Sequence, residues 1–288
     1  MPYSYLLEIA GIKIGMETHL FLQPEPEFAD FLITDGNADF TARYHQVDQL
    51  PPIPAEILHE DNCYRVHPDG KGGYIRSFFD APRDLTPYAV AVWDGSHLDV
   101  PYLEKGARCV SQMHNSFFHL GFEELLIRRD RLCFHAACVD TPLGGILFSG
   151  RSGIGKSTQA ELWCRHRNAR QINGDRPVLS KEEAGWLAWG SPYAGSSGVH
   201  VNDHCPVSAI VMLQQAEACS LRQLSSGEAF RAVWSGLTMH SWNEQFVEKA
   251  CDLALELIDQ VPVYEFACTP DEAAVRYLEQ ALRKEGCL

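Results

Sequence analysis

Apolar and polar positions alternate over short runs in the first third of the chain, and turn residues separate the runs. Residues 5–9 and 12–16 flank Ala10-Gly11; residues 28–33 and 40–47 flank Asp35-Gly36-Asn37. Residues 63–67 and 74–79 flank a glycine-rich stretch at 68–73, and residues 88–93 and 98–100 flank Asp94-Gly95. Period-two alternation bounded by Gly, Asn and Asp reads as strands joined by tight turns, and Asp-Gly is a strong two-residue hairpin signal. Hairpin after hairpin predicts an antiparallel meander over residues 1–104, with Pro51-Pro-Ile-Pro54 as a break or an extended linker.

The period changes between 105 and 129. Val110, Met113, Phe117, Leu120, Leu125 and Ile127 recur at helical spacing, with Gly121 as a breaker. Two helices there would connect a β-rich N-terminal domain (1–104) to a second domain (130–288). In that domain, residues 132–139 read as one strand, 141–145 as a turn, and 146–148 as the apolar centre of a buried strand. Residues 158–164 read as a helix. Further strands are expected at 170–175, 186–189, 207–213 and 261–267. Ser225-Ser-Gly-Glu228 has the spacing of a capping box, and 243–259 is a strongly apolar helix. Thr269-Pro-Asp-Glu272 opens the last helix with proline at its first position, and Arg283 and Lys284 fall in its last turn. Hairpin-like connections alternating with helices predict a mixed sheet, unlike a doubly wound parallel one; the fold class is α+β or mixed α/β.

Composition narrows the function classes. The 288 residues are 45% hydrophobic and 22% charged, as in ordinary globular proteins. A net charge of −14 argues against nucleic acid or an anionic membrane as partner. Ten cysteines without a C-x-x-C pair predict free, largely buried thiols in a reducing, cytoplasmic setting. Met1-Pro-Tyr-Ser-Tyr-Leu-Leu-Glu8 lacks the basic start of a signal peptide, and no apolar run approaches membrane-spanning length. Whether the chain forms a homo-oligomer is left open.

An acidic chain that binds a polyanion must concentrate positive field locally, and one stretch is built for that. Gly145-Ile-Leu-Phe-Ser-Gly-Arg-Ser-Gly-Ile-Gly-Lys-Ser-Thr158 contains G-x-x-x-x-G-K-[ST] from Gly150 to Ser157, between a predicted strand and a predicted helix. That context identifies a phosphate-binding loop. Gly150, Gly153 and Gly155 let the backbone N–H groups of the loop turn inward as an anion nest. The loop comprises Gly150, Arg151, Ser152, Gly153, Ile154, Gly155, Lys156, Ser157 and Thr158, and the helix start adds its free N–H groups. Lys156 would reach the β- and γ-phosphates, and the Ser157 hydroxyl would ligate Mg²⁺. The plain alternative is a glycine-rich turn with a surface lysine.

A Mg-nucleotide needs an acid opposite the loop, and Asp175 closes a short predicted strand about twenty residues beyond Lys156. The competing interpretation is a turn aspartate, since Asn-Gly-Asp is turn chemistry. His135 lies on the strand before the loop strand, where a lone histidine is commonly a core residue. Cys133, His135 and Cys138 do not make a zinc site, because alternation sends Cys138 to the other face of a strand. His200 and His204 sit in loop sequence. Leu224-Ser-Ser-Gly-Glu228 resembles a transporter-ATPase signature but follows Asp175, so it is a helix cap. Residues 189–198, rich in glycine and serine, form either a substrate loop or an ordinary crossover.

A histidine strand, a turn, the strand running into Gly150–Thr158 and a strand ending on Asp175 together resemble the HPr serine kinase/phosphorylase C-terminal domain, whose fold is related to PEP carboxykinase. The chain looks most like the shorter, divergent HPr kinase-related proteins, some of which phosphorylate serines of ribosomally made peptide precursors. The resemblance covers residues 130–215. It implies ATP and Mg²⁺ as cofactors, nucleotide phosphates on Gly150–Thr158, Mg²⁺ on Ser157 and Asp175, and Lys156 on the transferred phosphate. It further implies Asp175 as proton acceptor and His135 as its support, with a peptide or small protein as acceptor. Two departures stand out. Gly174 occupies the place of the family's first strand-end acid, and the family's glutamate-arginine-glycine signature is missing from 190–204, which leaves Asp203 as the candidate second metal ligand. Three functions follow: a kinase acting on Ser or Thr of a peptide, a small-molecule kinase, and a nucleotide-binding regulatory module without transfer.

Overall fold

In a computed structural model, residues 3–80, 82–142 and 144–286 are described. Strands β1 (Tyr3–Ile9) and β2 (Ile12–Thr18) form the expected hairpin. Ala10 and Gly11 both have positive φ (50° and 72°), the two-residue turn whose twist matches that of its strands. Next come the short helix α1 (Pro26–Ala29), β3 (Leu32–Ile33), β4 (Phe40–Gln46), β5 (His59–Glu60) and β6 (Tyr64–Pro68). They are followed by β7 (Tyr74–Asp80), β8 (Asp84–Asp94) and β9 (His97–Tyr102). The chain divides into two compact units, Met1–Phe122 and Glu123–Leu288.

The sheet of the first unit runs β3-β1-β2-β4-β9-β8-β7-β6-β5. It is not a pure meander. Strand β4 lies between the two antiparallel ribbons and is parallel to both β2 and β9. The expected hairpin between 28–33 and 40–47 does not form, because β3 takes the free edge of β1 while β4 takes that of β2. A reciprocal clasp fixes the start of β4. Asp39 N–H donates to Lys13 O, and Lys13 N–H donates to the Asp39 carboxylate, both at 2.8 Å. Pro26 opens α1, which turns part of the predicted strand into a helical turn. The last hairpin turns on Gly95-Ser96, one residue later than Asp94-Gly95, since Asp94 pairs with His97.

Helices α2 (Ala107–Val110), α3 (Met113–Leu120) and α4 (Phe122–Arg128) follow, and the break at Gly121 is real: its φ is 62°. Beneath α3 lies a buried polar group. Arg76, 5% exposed, donates to the His119 carbonyl at 2.6 Å, and Tyr88 Oη meets His119 Nε2 at 2.9 Å.

The second unit contains β10 (Arg131–Cys133), β11 (Ala136–Thr141), β12 (Gly144–Ser149), α5 (Lys156–Arg167), β13 (Arg170–Asn173), β14 (Val178–Glu182) and β15 (Gly185–Trp189). It continues through β16 (His204–Gln215), β17 (Ser220–Gln223), α6 (Ser226–Gly236), α7 (Glu244–Gln260), β18 (Val263–Cys268) and α8 (Glu272–Lys284). The order is β10-β14-β15-β16-β12-β11-β13, with β18 on β16 and β17 on β18. Strands β12, β16 and β18 are mutually parallel and the other pairings are antiparallel, so the sheet is mixed, as expected. Alternate residues of β12 feed two cores. Leu147 packs with α6 and α7, while Ile146 and Phe148 pack with α5 and α8.

The single strand expected at 132–139 is two. The chain breaks at Phe134-His135, so that β10 pairs with β14 while β11 pairs with β12 and β13. Strands β14 and β17 were not anticipated; short and partly polar, they carry little periodic signal. The Ser225–Glu228 capping box closes as expected. Helix α8 starts at Glu272 with Asp271 as its cap, so Pro270 precedes the helix. Leu143 of the predicted turn, Met1-Pro2 and Cys287 lie outside the described residues. The nine described cysteines are free. No helix among the described residues is long and apolar enough to cross a membrane.

Gly121→Ala would place Cβ 2.1 Å from Arg76 Nη1 at a left-handed φ. We expect a loss of about 2 kcal/mol or more, read as a lower urea midpoint. Burial, and after it the Arg76 charge, push His119 down to about 3. The folded protein keeps this imidazole neutral while the unfolded chain protonates it below about pH 6.5. Its contribution is therefore intact above that pH and is lost as the pH falls toward 3. Between pH 7 and 5 the wild type should lose about 2 kcal/mol more than His119→Asn in urea titrations.

Candidate active site

Sheet register gathers the site at one edge. Strand β11 runs antiparallel to β12 with Ala136 opposite Ser149, so the residue before β11, His135, lies beside the end of the loop strand. Strand β13 runs antiparallel to β11, with Asn173 opposite Cys138, so its end also emerges on that edge. The parallel strands β16 and β18 deliver their C-terminal ends, residues 213–216 and 268–270, on the other flank of the loop. Ligands collect at such carboxyl ends of parallel strands.

The loop residues 150–155 join β12 to α5. Gly150, Gly153 and Gly155 have φ of 136°, 76° and 113°, a region closed to most side chains. Lys156, 8% exposed, donates to the carbonyls of Gly150 (3.1 Å) and Arg151 (3.4 Å), so its ammonium is folded back over the loop. Burial lowers the Lys156 pKa; the Asp175 charge opposes this and Arg176 adds to it. Ile154 is buried, Ser157 is half-buried, and Arg151, Ser152 and Thr158 are exposed.

His135 and Asp175 face each other, with Nε2 3.3 Å from Oδ1 and side chains 30% and 28% exposed. The backbone fixes both. His135 N–H donates to Gly236 O at 2.8 Å, its carbonyl accepts from Ser149 Oγ at 2.8 Å, and Ala136 N–H donates to the Asp175 carbonyl at 2.9 Å. Asp175 does not end β13 but lies in the turn after it. There the fully buried Asn173 accepts from Asp175 N–H (3.0 Å) and Arg176 N–H (2.7 Å), an Asx turn. Asn173 also donates to Ser191 O at 2.9 Å. The alternative expected from Asn-Gly-Asp is the one found: Asp175 is a turn aspartate, and the turn sets its carboxylate beside His135. Asn173 and Arg176 were not singled out from the sequence. Arg176 Nε lies 3.4 Å from Asp175 Oδ2, and its guanidinium donates to Thr238 Oγ1. The only advance signal for either residue was adjacency to Asp175. Burial lowers the His135 pKa, the Lys156 charge lowers it further, and Asp175 opposes both.

Gly174 has a structural reason. A Cβ there would lie 1.7 Å from Ser197 Oγ and 2.7 Å from Ala194 O. The segment 189–198 closes over this corner through the turn Gly195–Ser197, and a Cβ on Gly195 would lie 2.6 Å from Asp175 Cβ. Asp203 is held by Arg170 at 2.7 Å, which keeps its carboxyl below its ordinary pKa and commits it to that pair. His200 Nδ1 meets Gly198 O at 2.9 Å, and His204 begins β16. No cluster of three or more His, Cys, Asp or Glu able to hold a metal occurs among the described residues. Ser157 and Asp175 offer only oxygen donors. That suits Mg²⁺ carried by a nucleotide, which takes one or two protein ligands and completes its shell with phosphates and water.

Among the charges acting on His135, Lys156 and Arg176 pull its pKa down and Asp175 pulls it up. Lys156→Met should raise the His135 pKa and Asp175→Asn should lower it further, read from imidazole resonances in an NMR pH titration.

No family model matches the sequence, and no curated protein matches it. Among solved structures the chain is similar to the Hpr(Ser) kinase/phosphatase from Coxiella burnetii, at 16% identity and a TM-score of 0.32, over 53% of this chain and 97% of that one.

Proposed function

We propose that the protein is an ATP-dependent phosphotransferase that moves the γ-phosphoryl group to a hydroxyl, that of a serine or threonine in a peptide or small protein. The carrying observation is a glycine loop of phosphate-binding sequence with a histidine–carboxylate pair, 3.3 Å apart, on the same sheet edge. Loop N–H groups and the start of α5 would bind the phosphates. Lys156 would swing from the Gly150 and Arg151 carbonyls to the transferring group and neutralise charge there. Ser157 and Asp175 would hold the nucleotide's Mg²⁺, which screens the β- and γ-oxygens when bound.

The bond from the γ-phosphorus to the β–γ bridging oxygen breaks as one forms to the substrate oxygen, and the hydroxyl proton passes to the Asp175 carboxylate. A strong base is not needed, because the transition state is loose and catalysis is mostly positioning and electrostatics. His135, whose pKa is lowered chiefly by burial, remains neutral and donates Nε2–H to Asp175 Oδ1. Arg176 steadies the other oxygen.

The test is the fate of γ-labelled phosphate after incubation with Mg-ATP and fractionated lysate, with acceptors identified by mass spectrometry. Label should appear on serine or threonine of a peptide. Lys156→Ala should abolish it, and Asp175→Asn should slow it at least about a hundredfold. Label on a metabolite would make this a small-molecule kinase. Bound ATP with no transfer to any fraction would sink the kinase proposal in favour of a regulatory module, and full activity of Asp175→Asn would remove Asp175 as the base.

A further inference from the structure

Serine and threonine hydroxyls gather at the corner around His135 and Asp175, and most of them are committed. Ser149 donates to the His135 carbonyl at 2.8 Å, and Ser191 donates to the Arg176 carbonyl at 2.6 Å. Thr238 accepts from the Arg176 guanidinium. Ser197 donates to the Ala194 carbonyl at 3.0 Å and accepts from Val199 N–H at 3.3 Å. Ser196 differs from all of these. It is exposed, and its hydroxyl bonds to no other described residue. A serine hydroxyl that is both accessible and free of hydrogen bonds is the kind that can act as a phosphate acceptor.

The turn that carries Ser196 lies against the catalytic acid. A Cβ on Gly195 would stand 2.6 Å from Asp175 Cβ, and a Cβ on Gly174 would stand 1.7 Å from Ser197 Oγ, so the residues on either side of Ser196 touch the Gly174-Asp175 backbone corner. Consecutive Cα atoms are about 3.8 Å apart, which puts Ser196 Cα within about 8 Å of Asp175 Cβ. From those two atoms the serine and aspartate side chains each extend about 2.4 Å, so the hydroxyl comes within reach of the carboxylate when the turn presents it. The turn is built to move. Gly195 and Gly198 bracket it with φ of 60° and 68°, and such glycines let a short segment pivot at little steric cost. Its outer anchors stay put meanwhile: Ser191 on the Asn173 amide and the Val199 carbonyl on Gly174 N–H.

We propose that Ser196 is an intramolecular phosphorylation site, modified by the chain's own Asp175, an inference that rests on the phosphotransferase proposal above. A bond forms from Ser196 Oγ to the γ-phosphorus as the bond from that phosphorus to the β–γ bridging oxygen breaks. The nucleoside diphosphate leaves with the electron pair, and the hydroxyl proton passes to the Asp175 carboxylate. The acceptor is tethered beside the base, so the step gains the advantage of a unimolecular reaction over one between separate molecules. Ser197 is spared because its hydroxyl is spent on closing the turn.

The experiment incubates the full chain, dephosphorylated beforehand, with γ-labelled Mg-ATP and no other acceptor, and maps the label by peptide mass spectrometry. Label should appear on Ser196, at a rate per chain that does not change with protein concentration. Ser196→Ala should lose it, Ser196→Thr should carry it as phosphothreonine, and Lys156→Ala should remain unlabelled. Label on a different residue, label that survives in Ser196→Ala or Lys156→Ala, or a rate per chain that rises in proportion to concentration overturns the inference. Transfer to lysate peptides while the chain itself stays unlabelled overturns it too, and leaves the phosphotransferase proposal standing. No label on the chain or on any lysate fraction overturns both. A second measurement needs no nucleotide. The double variant Asp175→Cys, Ser196→Cys, oxidised with diamide, should yield a disulfide-linked peptide pair joining positions 175 and 196, since a disulfide forms only where the two Cα atoms come within about 7 Å. Absence of that link shows that the turn does not bring residue 196 to the acid, and overturns the inference.

Discussion

The candidate site depends on the register of one hairpin. Ala136 stands opposite Ser149, and from that pairing follow the position of His135 beside the loop and, through β13, that of Asp175. A slip of one residue would turn every side chain of β11 to the opposite core. That is strongly resisted, because Ala137 and Val139 pack with α5 and α8 while Ala136 and Cys138 pack with α6 and α7. The chemistry is thus positioned by apolar packing on both faces of the sheet rather than by contacts among the reactive groups.

Polar groups then refine what packing has set. Asn173 is fully buried, accepts two backbone N–H groups and donates to a third segment, which ties β13, the Asp175 turn and residue 191 together. Each partner would be costly to leave unpaired inside the protein. The Ser149 hydroxyl does comparable work from β12, bonding the His135 carbonyl where the chain breaks between β10 and β11. A break at that point frees the imidazole from the alternation of a continuous strand and lets it turn toward Asp175.

Much of this was legible in the sequence, and the remainder was hidden for physical reasons. The loop could be read because its glycines and lysine are dictated by backbone geometry and charge, and those demands are local. The hairpins at 10–11 and 68–73 and the capping box at Ser225 are local as well. What failed was non-local. The sequence shows 28–33 and 40–47 as neighbouring runs, but which edge each finds depends on β1 and β2. The split of 132–139 is decided by two different partners, β14 and β12, and no periodicity records it. Arg176 and Asn173 look like ordinary turn residues until the fold places them around a carboxylate. The pairing of Asp203 with Arg170 is non-local as well, and nothing in the sequence announces it.

The packing around Gly174 bears on how this chain can change. Residue 174 has no room for a side chain because Ser197 and the Ala194 carbonyl already fill it. A second acid there is barred by backbone as well as by a hydroxyl, so trimming Ser197 alone does not make space. An acid at position 174 therefore requires a different course of the 194–197 turn. The glycine records the path of a neighbouring loop, and the identity of residue 174 by itself is no measure of whether the site is active.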